Sequence, residues 1–86
     1  MSPLEIQLLN LITEVCRLPG VEPENYNPEA PLIGSDSQLG IDSLDAVEIV
    51  FQIQKNFSVH IDSEDTSRKV LATLRTLAEF VEKNRQ

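Results

Sequence analysis

The chain has 86 residues, a formal net charge of −7 from seven Lys or Arg against fourteen Asp or Glu, and a single cysteine. A chain of this size makes one domain, residues 1–86, that buries only about 60 to 65% of its unfolded surface, which leaves little room for a deep catalytic pocket. The lone Cys16 excludes an intramolecular disulfide or a multi-cysteine metal site, and the acidic balance disfavours nucleic acid and anionic membrane as partners.

The hydrophobic share of 41%, with three Phe, one Tyr and no Trp, fits a small helical domain rather than a disordered segment. Met1-Ser2-Pro3-Leu4-Glu5 has no basic region followed by an apolar run, and no window approaches about eighteen apolar residues, so a cytoplasmic protein without membrane insertion is expected. The charge is uneven. Leu18 to Gln54 holds seven acids and no Lys or Arg, while the other residues carry seven acids and seven bases, so the whole net charge lies in that one segment. Such a field draws in basic protein surfaces; the plainer alternative is that it keeps a small protein soluble.

Ser2-Pro3-Leu4-Glu5 is a capping box with Pro at the first helical position, and it predicts a first helix over Pro3 to Arg17. Leu4, Leu8, Leu11, Ile12 and Val15 recur at helical spacing, widened by Leu9 and Cys16, with Glu5, Gln7, Asn10 and Glu14 on the wet side. Leu18-Pro19-Gly20 is expected to end the helix. From there to Ile41 the many Pro and Gly residues predict a long irregular connection, in which Val21, Tyr26, Leu32, Ile33 and Leu39 tuck inward and Ser35 to Leu39 forms one helical turn.

Asp42 is a good N-cap, Asp45 can imitate the reciprocal arm of a capping box, and Ser43 then falls at the first position of a second helix running to about Phe57. A hydroxyl there points off the helix start, where the backbone amides favour a negative group such as a phosphate. At about 100° per residue, Ala46, Ile49, Val50, Ile53 and Phe57 share one arc, the expected core face. Leu44, Val47 and Phe51 form a separate arc edged by Glu48. Either a neighbouring loop covers this second arc or it is an exposed strip that docks a partner helix.

Val59 and Ile61 are expected to point inward from the link after that helix. His60, the only histidine, has no co-ligands nearby for a metal or for base catalysis. A short third helix over Glu64 to Ala72 should turn Val70 and Leu71 inward, and Thr76-Leu77-Ala78-Glu79 predicts a capping box starting a fourth helix from about Leu77 to Lys83 or Asn84, with Leu77, Phe80 and Val81 on its core side. Residues from Asp62 to Gln86 carry five acids and five bases and give no charge signal. The pattern is an all-α, small four-helix bundle of three main helices and one short one, with a long loop between the first two. A Gly-x-Ser-x-Gly elbow, a calcium loop and a phosphate-cradling glycine loop are all missing, so an enzyme is not expected.

The run Leu39-Gly40-Ile41-Asp42-Ser43-Leu44-Asp45-Ala46-Val47-Glu48-Ile49-Val50 resembles the acyl carrier proteins, whose Asp-Ser-Leu motif opens their second helix. The resemblance implies that Ser43, flanked by Asp42 and Leu44, receives a 4'-phosphopantetheine arm donated from coenzyme A and carries acyl groups as thioesters. It also implies that Asp45, Val47, Glu48 and Phe51 meet the phosphopantetheinyl transferase and the acyl-loading, acyl-transferring or condensing enzymes through their basic docking surfaces, the carrier itself being a monomer. Asp before the serine resembles the fatty-acid and polyketide type. The run Leu32-Ile33-Gly34-Ser35-Asp36 and the extended third-helix segment look like specialised carriers of secondary-metabolite or envelope-lipid clusters. Ile49, Val50, Ile53, Ile61, Val70 and Leu71 are the expected lining for a sequestered acyl chain. The alternative from another class is a small acidic helical adaptor that binds a basic partner with no prosthetic group, Ser43 being only a cap-region residue.

Overall fold

Ser2 opens the first helix as its spacing to Glu5 predicts: the Ser2 hydroxyl accepts from the Glu5 N–H at 3.2 Å and the Glu5 carboxylate accepts from the Ser2 N–H at 2.8 Å. In the computed structural model, which describes residues 1–85 apart from the Glu64 side chain, the helices are α1 (Pro3–Val15), α2 (Ser43–Phe57), α3 (Glu64–Val70) and α4 (Leu74–Asn84). Three are long and one is short, the all-α bundle the sequence predicts. Packing of α1 on α4 and α2, and of α3 on α4, gathers Leu8, Leu9, Ile12, Ile49, Ile53, Leu77 and Val81 into one core.

Two of the three helix ends that differ from the expected ones do so for a visible local reason. At the end of α1, Arg17 takes a left-handed backbone with φ 56°, so the Leu18 N–H reaches the Thr13 carbonyl at 2.8 Å and the Arg17 N–H reaches that of Glu14 at 3.2 Å. This closure satisfies the last carbonyls before Pro19 and Gly20 are reached, and the helix stops at Val15 instead of Arg17. At the other difference, α4 starts at Leu74 rather than Leu77. Thr73 caps the Thr76 N–H at 3.0 Å, and the Thr76 hydroxyl accepts from the Thr73 N–H at 3.0 Å, so a second hydroxyl does what Glu or Gln usually does. The earlier start buries Leu74 with Leu77, Ala78 and Val81, while Phe80 is only partly buried. The third helix also stops short of Ala72, at Val70, with Ser63 as its N-cap; Val70 and Leu71 are buried as expected.

Glu5 is a further correction. Expected on the wet side, its side chain is only 7% exposed, because Arg75 Nε approaches its carboxylate to 3.4 Å from α4.

The long connection between α1 and α2 is fastened to the rest of the fold. Its Leu32 N–H donates to the Ala72 carbonyl at 3.0 Å, the Arg75 N–H donates to the Pro28 carbonyl at 3.0 Å, and Arg75 Nη1 lies 3.0 Å from the Glu29 carboxylate. Tyr26 and Leu32 are buried and Val21, Ile33 and Leu39 partly so, in line with the sequence. A single 3₁₀ turn occurs at Pro23–Asn25, which the sequence did not predict. The helical turn expected over Ser35 to Leu39 is absent; two successive turns, Ser37 N–H to the Gly34 carbonyl at 3.0 Å and Gly40 N–H to the Ser37 carbonyl at 3.2 Å, take its place. Among the described residues the Tyr26 hydroxyl is buried without a hydrogen-bond partner, a cost of about 1–3 kcal/mol. After α2, Val59 and Ile61 are buried and His60 is exposed, the Ile61 N–H donating to the Gln54 side chain at 2.8 Å.

Candidate functional site

Ser43 is exposed at the first position of α2, and the chain before it is held from several sides. Ile41 is buried, and its carbonyl accepts from the Gly34 N–H at 2.8 Å. The Ser37 hydroxyl donates to the Leu32 carbonyl at 2.6 Å and accepts from the N–H groups of Leu39 at 3.2 Å and Ile41 at 3.4 Å. Gly40, at φ 69°, makes the left-handed step that a side chain would strain. Asp42 then caps α2, one carboxylate oxygen accepting from the N–H groups of Leu44 and Asp45 at 3.0 Å each. Asp45 makes no reciprocal bond to the cap among the described residues, being one methylene shorter than the usual Glu.

This arrangement separates the serines. Ser37 spends its hydroxyl inside the loop, and Ser35 sits in an exposed turn with no helix behind it. Ser43 combines exposure, a fixed backbone and the start of a long helix.

The first arc of α2 packs inward as expected, and the second takes the exposed one of its two alternatives. Ile49, Ile53 and Phe57 are buried, and Ala46 and Val50 partly so. Leu44, Val47 and Phe51 are 80%, 70% and 56% exposed, so the neighbouring loop does not cover them. Glu48 is exposed beside this strip and Asp45 is half-buried. The partner-facing residues expected from the sequence thus lie along one side of α2, beginning next to Ser43.

A cleft of about 340 Å³ opens beside Ser43 between α2 and α3, walled by Ile33 from the long loop, Ala46 and Val47 from α2, and Leu71 and Ala72 after α3. Ser67 and Arg68 complete its α3 side. Of the six residues expected to line a site for an acyl chain, only Leu71 does so. Ile49, Ile53, Ile61 and Val70 belong to the closed core. Ser67 and Arg68 escaped the sequence reading because the balanced charge of the last quarter of the chain gave no local signal, and only tertiary packing brings α3 across from Ser43.

Other reactive groups do not converge here. The Cys16 thiol, packed partly against the core, is pushed up first by burial and then by the nearby charges of Asp45 and Asp42, which keeps it protonated and unreactive. Among the described residues there is no group of His, Cys, Asp and Glu suited to holding a metal ion. An exposed hydroxyl on a fixed helix start, opening onto a mainly apolar cleft whose α3 side includes Arg68, fits a covalently attached group that is anionic where it joins the protein and less polar beyond. The family model described as the phosphopantetheine attachment site matches residues 7–82.

The chain belongs to this family of acyl carrier proteins. It is 38% identical over 64 residues to the acyl carrier protein of Bdellovibrio bacteriovorus, covering 74% of this chain and 76% of that one. To the acyl carrier protein of Syntrophobacter fumaroxidans it is 28% identical over 85 residues, or 99% of this chain and 95% of the other. No solved structure gives a significant match. Carriers of this family bear 4'-phosphopantetheine and are not catalysts, so the chain is a carrier rather than an enzyme, and an adaptor lacking any prosthetic group is set aside. None of the carrier's described helices is long and apolar enough to cross a membrane.

Proposed function

We propose that this chain is a monomeric cytoplasmic carrier that receives 4'-phosphopantetheine on Ser43 and presents acyl groups to biosynthetic enzymes. The observation that carries the reading is the exposed Ser43 hydroxyl at the first position of α2, at one end of the apolar strip of Leu44, Val47 and Phe51. The prosthetic group, donated from coenzyme A, supplies a thiol that holds acyl groups as thioesters. The protein supplies position and recognition. Asp42 accepts two backbone N–H groups on one carboxylate oxygen and fixes the helix start. Leu44, Val47 and Phe51 offer that enzyme, and the acyl-loading and condensing enzymes after it, an apolar seat, while Asp45 and Glu48 face their basic docking surfaces.

Intact mass after co-expression with a phosphopantetheinyl transferase tests the assignment. Wild type should gain one phosphopantetheine, and Ser43→Ala should gain none while keeping its helical circular dichroism, since an exposed hydroxyl contributes little to stability. A mass gain in Ser43→Ala, or its loss in Ser35→Ala, would show the assignment to be wrong.

A further inference from the structure

We propose that Arg68, on the last turn of α3, is the positioning residue for the phosphodiester joined to Ser43 and draws it across the cleft toward α3. The inference rests on the reading of Ser43 as the attachment point and adds a binding contact to it.

Ser43 and Arg68 wall the same cleft of about 340 Å³, Ser43 from the start of α2 and Arg68 from α3. A phosphodiester is a permanent anion, and around Ser43 it meets Asp42 and Asp45 on its own helix start, in a segment from Leu18 to Gln54 that contains no Lys or Arg. Like charges push it off that side. Among the described residues lining the cleft, Arg68 carries the only charge, and it is positive. A guanidinium offers paired N–H donors in the geometry that two phosphate oxygens accept, a fit that a lysine ammonium does not provide.

The wall that carries Arg68 is firmly placed. Leu71, three residues on and on the same side of the helix, is buried, and its N–H donates to the Ser67 carbonyl at 2.9 Å. Ala72, also in the wall, accepts from the Leu32 N–H of the long loop at 3.0 Å. Arg68 therefore stands on a fixed backbone, next to Ser67 in the same wall. Ile33, Ala46, Val47 and Leu71 give the rest of the cleft an apolar lining for the less polar length of the group. The consequence is a resting position along the cleft instead of in open solvent, and a contact that a docking enzyme must break to withdraw the group.

Backbone amide and ³¹P NMR of apo and phosphopantetheine-loaded protein test this, in wild type, Arg68→Gln, Arg68→Lys and the exposed control Lys69→Gln. Loading of wild type should shift the amides of Ser67, Leu71 and Ala72 as well as those next to Ser43. In Arg68→Gln the α3 shifts should shrink by about threefold while those at Ser43 and Leu44 persist; Arg68→Lys should keep part of them and Lys69→Gln all. Raising salt to about 0.5 M should diminish the α3 shifts in wild type, Arg68→Lys and Lys69→Gln but hardly change those left in Arg68→Gln, because screening weakens an ion pair. Equal α3 shifts in wild type and Arg68→Gln, or shifts confined to Ser43 and its neighbours in both, would overturn the role of Arg68. Intact mass separates the two ideas. A loaded protein with no dependence on Arg68 removes only the positioning contact, whereas wild type that gains no mass on Ser43 removes the attachment reading itself. Should Arg68→Gln lose its helical circular dichroism, Arg68→Lys and the salt series decide the outcome.

Discussion

Glu5 serves its own helix and the tertiary fold with one carboxylate. One oxygen accepts the Ser2 N–H at 2.8 Å and the other faces Arg75 Nε at 3.4 Å. The bond from the Ser2 backbone is the leading reason its carboxyl is held below the usual range; burial opposes it, and the Ser2 hydroxyl and Arg75 add to the lowering. A carboxyl lowered on folding stabilises fully above its ordinary value of 4.5, and that contribution disappears as pH falls through the lower folded value. Glu5→Gln keeps a side-chain acceptor for the capping box and removes the charge. Because Arg75 is nearly half exposed, we expect a loss of about 1 kcal/mol at neutral pH, at the low end for a charged hydrogen bond. Urea unfolding from about pH 7 to about pH 3 should show the gap between wild type and Glu5→Gln closing as the acid limit is approached. A gap that stays constant over that range would mean that shape, and not charge, is what Glu5 contributes. The capping half of this residue was legible from its spacing to Ser2; the burial was not, since its partner lies 70 residues away.

At the scale of the element, α2 was the most legible part of the chain because both of its faces are written at one helical period. Its bounds, its Asp42 cap and its core face agree with the sequence; the reciprocal Asp45 bond does not form, and the second arc takes the exposed one of its two alternatives. Where reading failed, the cause was chemistry that two residue types can supply. Thr76 completes the cap of α4 in place of Glu or Gln, and Arg17 makes a left-handed turn that Gly or Asn usually makes. The cleft was legible only on its α2 side. Val47 sits in the middle of the exposed strip at 70% exposure, so its isopropyl group contributes nothing to the core and is available to a docked enzyme. Val47→Ser should leave the carrier's unfolding midpoint within about 0.5 kcal/mol of wild type while costing about 1–2 kcal/mol in the complex, a roughly 5- to 30-fold faster dissociation from the transferase. Stopped-flow kinetics would reveal it. An unchanged dissociation rate would move the docking surface away from this strip.

Across the whole molecule, the excess of acid is more localised than its sequence spread implies. Seven acids lie between Leu18 and Gln54 without a base among them, yet the folding of the long loop onto α4 brings Arg75 to within 3.0 Å of Glu29. One of the seven thus has a counterion that the linear sequence hides. Asp42, Asp45 and Glu48 remain together at the start of α2, beside Ser43 and the apolar strip, where a basic enzyme surface would first feel them. We therefore expect Asp45→Lys and Glu48→Lys to slow association with the transferase about 3- to 10-fold at low salt, and Glu29→Gln to slow it far less, because its charge is already offset. The screening length is about 30 Å at 0.01 M and about 10 Å at 0.1 M, so added salt should slow the wild type toward the rate of the reversed variants. Dissociation should change little for the charge variants, the reverse of Val47→Ser. Association rates across a salt series, with circular dichroism for each variant, distinguish these outcomes. If Glu48→Lys and Asp45→Lys associate as fast as wild type at low salt, or if Glu29→Gln slows association as much as they do, the acids act as a general solubilising surface rather than as a guide to Ser43.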